Sequence, residues 1–126
     1  MLKALCLFSM IFLFTSSAYC KTETIICQYP TFSDQEGNHP DKQKFTLTFI
    51  VDKENGEAYI LGNQGSAHVI LVPNKVDGGF TFIEVTPAGN VMTTTIDSKG
   101  GTVHSRNTIL YGKIVPTQYY GTCEFK

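Results

Sequence analysis

Tryptophan is absent, charged residues make up only 17 % of the chain, and ten lysines and arginines face eleven aspartates and glutamates. Nowhere do basic residues run together, which excludes an electrostatic footprint for nucleic acid and a polybasic patch for a membrane surface. There is no internal repeat and no low-complexity tract, so a chain of this length fits one domain with a modest core. A sustained helical stripe is also missing. Apolar residues recur with period two between turn residues instead.

Long apolar runs are lacking as well, except at the start. "MLKALCLFSMIFLFTSSAYC" places a lysine before the apolar residues 4–14 and then Ser16, Ser17 and Ala18, the layout of a secretory signal peptide. The run is shorter than the roughly 20 residues that span a bilayer, so residues 1–20 are expected to be removed with no stable membrane insertion afterwards. Small residues permit cleavage after Ala18 or after Cys20. The later cut leaves Cys27 and Cys123, an even pair suited to an oxidising compartment, and an exported chain, periplasmic or secreted, follows. A lipid-modified cysteine normally follows a small residue, whereas Cys20 follows Tyr19. A bridge from Cys27 to Cys123 ties the two ends of the mature chain, so its first and last segments must lie side by side.

Threonine, valine, isoleucine and aromatics fill the interior segments, the residues that suit pleated, half-buried surfaces. "KFTLTFIVD" is the clearest strand, with Phe45, Leu47, Phe49 and Val51 on one face. Asn55-Gly56 supplies a tight hairpin before "AYIL". Asp52, Glu54 and Asn55 resemble a calcium loop only loosely, since Gly56 is one position early and Asn63 stands where a bidentate glutamate belongs. "AHVILV", "FTFIEVT", "VMTTTI", "TVHSRNTILY" and "QYYGTCEF" follow, separated by glycine-bearing turns. Residues 31–43, "TFSDQEGNHPDKQ", read as a long mobile loop. The fold class is all-β: an up-and-down antiparallel meander of about eight strands over residues 21–126, closed into a barrel to remove exposed edges, with a two-sheet sandwich as the alternative.

Glu84 shares a strand face with Phe80 and Phe82, so if those rings point inward a carboxylate points with them and needs a partner. Folding back through "PAGN" and "DSKGG" brings position 84 level with 92 or 93, and those with 105 or 106. Glu84, His104 and Arg106 thus form either a polar cluster at one mouth of the barrel or a structural ion pair on its outside. Tyr119 and Tyr120 open the last strand, where they offer hydroxyls to a ligand or pack the core, and Gly121 marks a bulge or a close backbone approach. The candidate ligand-binding residues are therefore Glu84, His104, Arg106, Tyr119 and Tyr120. Phe45, Phe49, Phe80 and Phe82 decide whether the interior is hollow.

Catalytic machinery is not visible. Adjacent strand residues face opposite ways, so Ser105 beside His104 is not a dyad, and no G-x-S-x-G elbow occurs. His39, His68 and His104 fall on a loop and two strands without ligand spacing, which points to no metal and no cofactor. The expectation is a non-enzymatic binding protein whose partner is an unknown small ligand or protein.

"FTFIEVTPAGNV", "TTTID", "VHSRNT" and "VPTQYYGTC" together resemble a group of small secreted bacterial proteins, a likeness that implies export and no particular activity. A looser architectural likeness is to the disulfide-bearing barrels that inhibit lysozyme in the periplasm, where a first-strand cysteine meets one near the carboxyl terminus. It implies an inhibitor of a cell-wall hydrolase as the alternative function. That family's serine-glycine-alanine loop is not reproduced by Gly65, Ser66 and Ala67, so no residue role carries over.

Overall fold

The computed structural model describes residues 21–62 and 65–126. Residues 1–20, expected from the sequence to be a signal peptide, lie outside the described residues. Eight strands run in chain order: β1 (Thr22–Asp34), β2 (Gly37–Asp52), β3 (Glu57–Gly62), β4 (Gly65–Pro73), β5 (Phe80–Val85), β6 (Val91–Ile96), β7 (Gly101–Leu110) and β8 (Lys113–Phe125). Each pairs antiparallel with the next and β8 returns to β1, closing the barrel. Closure leaves no edge along the shared height of the wall.

The closing seam carries the covalent tie. Cys27 and Cys123 are directly opposed in the β1–β8 register and are joined as a disulfide. A bond of this kind is compatible with an oxidising, exported location. Just beyond it, β1 bulges between Gln28 and Thr31, and Pro30, which has no N–H to give, sits in the break. Gly121 lies against this bulge: a Cβ there would collide with the backbone of Gln28 and Tyr29. The sequence-based reading of Gly121 as a point of close approach is met.

Strand length sets the shape. β3, β5 and β6 have six residues each, against 13, 16, 10 and 13 in β1, β2, β7 and β8. At about 3.3 Å per residue the long strands rise far above the short ones. One side of the mouth is therefore a tall wall and the other a low one.

Two sequence-based boundaries fail here. Residues 31–43 are not a loop: Thr31↔Pro40, Phe32↔His39, Ser33↔Asn38 and Asp34↔Gly37 pair as a ribbon that extends β1 and β2. The polar composition of this stretch reflects its height above the filled floor, where only Thr31–Ser33 are still paired to β8 and the rest of the ribbon faces water. Asp34 Oδ1 accepts the Glu36 N–H at 2.8 Å to hold its turn, and Asp41 accepts the Phe45 N–H at 2.6 Å across the bulge opposite Pro30. Likewise β8 begins at Lys113 rather than near Gln118, because Tyr111 and Gly112 both take positive φ, 49° and 74°, and turn the chain in two residues. Pro116 is tolerated inside β8 because β1 does not run beside it at that height. At Asn55-Gly56 only the glycine takes positive φ, 68°, and Asp52 accepts the N–H groups of Glu54 and Asn55 to close a longer hairpin.

Inside, the lower half is filled. Ile25, Val51, Ala58, Val69 and Ile96 are buried around Phe49 and Phe82, whose rings stack with centroids 4.2 Å apart. An eight-stranded barrel is narrow enough for side chains to fill. Phe80 packs edge-on against Phe82 below, while Phe45 stands higher, so the four phenylalanines do not form one plug.

Candidate binding cavity at the barrel mouth

Above this floor the inner rows of the strands carry different residues. The register pairs Glu84 with Met92 and Met92 with Arg106, one of the two alternatives open to the sequence. Parity then places Glu84, Met92, Thr94, His104 and Arg106 on the inner face, with Tyr119 opposite His104. These residues meet Phe45 and Leu47 of the tall wall and Ile60, Leu61 and Ala67 of the low one. Glu84, Met92, His104 and Arg106, with those residues of the two walls, line an open cavity of about 620 Å³.

His104 is the most deeply set of the polar groups, at 2 % exposure. Its Nδ1 lies 2.8 Å from the Thr94 hydroxyl, and its ring packs among Tyr29, Phe45 and Tyr119. Burial, and next the positive charge of Arg106, pull its pKa down to about 4, so the imidazole is neutral at pH 7. No buried side-chain nitrogen or oxygen among the described residues lacks a hydrogen-bond partner. Nε2, which has no protein partner there, is thus the edge open to the cavity. Tyr29 closes the layer below: its hydroxyl lies 3.3 Å from Thr102 Oγ1, and burial pushes its pKa up to about 12 against the opposing pull of the Thr102 and Thr94 hydroxyls.

Arg106 does not reach across to Glu84. Its guanidinium stands over the Tyr119 ring at 5.9 Å, a cation–π contact. Among the described residues no ion pair or hydrogen bond engages Glu84, so the alternative of a structural Glu84–Arg106 ion pair on the outside is not formed. Met92 stands between them. The remaining histidines have their own partners, His39 with Asp34 and His68 with Glu57. Among the described residues no three His, Cys, Asp or Glu gather as a metal-holding group.

Tyr120 does not belong with the other four. It faces outward, where its hydroxyl meets Ser33 Oγ at 2.9 Å and donates to Gln118 Oε1 at 3.0 Å. Alternation along β8 requires this, since neighbours on a strand cannot share a face. The cavity walls, Leu47, Ile60 and Met92, are absent from the sequence-based site. Met92 is within reach of the turn-counting that places Glu84, and Thr94, two residues further along the same face, follows by the same parity. Ile60 requires knowledge of the closure. Comparison with protein-family models, with curated proteins and with solved structures finds no match to the chain.

Proposed function

We propose that the protein is an exported, non-enzymatic barrel that holds a small ligand in the cavity at its mouth. The observation that carries this is the cavity itself, about 620 Å³ with mainly apolar walls on which the side chains of Glu84, His104 and Arg106 converge. Ligand pockets generally have this make-up, a mainly apolar lining with a few placed polar groups. The filled floor and the disulfide seam support it by keeping the walls fixed before a ligand arrives, which lowers the ordering cost of binding. Export is supported by the apolar leader and by the bridge.

The test uses N-phenyl-1-naphthylamine, an uncharged apolar dye whose fluorescence rises when it leaves water. Native protein is expected to bind it saturably. Ala67→Trp, which fills the mouth from the exposed low wall, is expected to weaken binding while leaving the β-sheet circular dichroism unchanged. No saturable enhancement, or an equal response from the folded variant, overturns the proposal.

A further inference from the structure

Glu84 and Arg106 are the only charged side chains among the described residues that line the cavity, and they carry opposite signs. Two strands separate across the sheet by about 10 Å, and Met92 fills the position between them. Arg106 rests on Tyr119, and Glu84 has no partner, so each charge faces the same apolar space on its own. Opposite charges this near to each other would ordinarily neutralise one another. Here the register and the intervening methionine hold them apart.

The geometry points to a zwitterion with an apolar body as the ligand class. Its anionic group meets Arg106, its cationic group meets Glu84, and its hydrocarbon lies against Phe45, Leu47 and Ile60. The neutral His104 adds a hydrogen bond at Nε2 without adding charge. This inference rests on the cavity being a binding site, as proposed above. A monoanion would satisfy Arg106 and leave Glu84 facing it; a monocation would do the reverse. An uncharged occupant is held by the apolar walls alone and pairs neither charge, so it forgoes the contacts that distinguish a zwitterion. Apolar α-amino acids, which place both charges at one end of a hydrocarbon, have the required chemistry.

Three probes of equal chain length separate the possibilities: L-norleucine, hexanoate and hexylamine, each titrated by nuclear magnetic resonance and in competition with the naphthylamine dye. Charge-assisted hydrogen bonds in a partly desolvated site are worth about 1.5–3 kcal/mol, so norleucine is expected to bind about tenfold or more tightly than either half-ligand. Glu84→Gln is expected to bring norleucine level with hexanoate, and Arg106→Gln to bring it level with hexylamine. Both residues are partly exposed, so neither change threatens the fold. If hexanoate or hexylamine binds native protein as tightly as norleucine, or if the dye binds and norleucine does not displace it, the zwitterion inference fails while the cavity reading stands. If neither dye nor norleucine binds, both fall.

Discussion

Acid titration of the folded protein isolates one buried group. A histidine whose folded pKa is about 4, against 6.5 for an unhindered imidazole, makes the unfolded chain the better proton acceptor between those two values. Its effect on stability is therefore nil above pH 6.5, grows as pH falls, and is complete near pH 4. The spacing corresponds to about 3 kcal/mol, delivered at about 1.4 kcal/mol per pH unit inside the window. That is a large part of the 5–15 kcal/mol that holds a typical domain together. The assay is the urea midpoint of native protein and of His104→Gln at intervals from pH 7.5 to 4. The glutamine amide of the variant can keep a hydrogen bond to Thr94 and does not titrate. Asp34 and Asp52, whose carboxyls are held below their usual range by hydrogen bonds, first from the Glu36 backbone N–H and the Asn55 side chain respectively, lose their stabilising effect only below that window. The native midpoint should fall steeply while the variant stays nearly flat. Parallel curves would refute the burial argument.

Two further outcomes test the seam. Gly121→Ala forces a methyl group into the backbone of the β1 bulge at Gln28 and Tyr29, and the loss should reach the upper end of the overpacking range, about 3 kcal/mol in urea melts. Alanine substituted at Gly112, where a Cβ meets nothing but φ is positive, should cost less than that. Replacing Cys27 and Cys123 by serine opens a loop spanning 96 residues and should cost about 4–5 kcal/mol in the chain-entropy account, read as a shift in urea midpoint. Intact mass of the native chain from an exporting host should begin at Lys21 and lie two hydrogens below the reduced form, whereas a chain starting at Tyr19 would return the odd thiol.

Much of the barrel is legible in the sequence because its information is local. The alternation of Phe45, Leu47, Phe49 and Val51 specifies one face, and turn residues specify where each strand stops. The pair of cysteines then supplies the one long-range fact, the closure. What escapes the sequence is whatever depends on height above the floor. Residues 31–43 are polar enough to read as a loop, but they stay extended because β1 there is paired on both sides, with β2 and, from Thr31 to Ser33, with β8, a pairing that no local pattern announces. The Tyr111-Gly112 turn is hard to foresee because a tyrosine seldom takes positive φ, and only its neighbours Ile109 and Ile114, opposed in the ladder, betray the hairpin. Glu84, His104 and Arg106 are legible as a shared face. That Glu84 and Arg106 remain apart is not, since it depends on which of the two registers forms and on Arg106 settling over Tyr119 of the neighbouring strand.

The arrangement divides the interior by task. Below, stacked Phe49 and Phe82 and the aliphatic ring around them stabilise the barrel and are indifferent to charge. Above, Glu84 and Arg106 lie where solvent still reaches, so exchanging them costs the fold little and, on the proposed binding function, changes what the mouth accepts. His104 sits at the boundary between the two layers, too buried to ionise and yet with one nitrogen toward the cavity. An anion brought beside Arg106 would offset the positive charge that helps keep the imidazole neutral. On the proposed binding function, occupancy of the mouth and the protonation of the layer beneath it are therefore coupled, and by linkage an anionic group should bind more tightly where His104 begins to accept a proton.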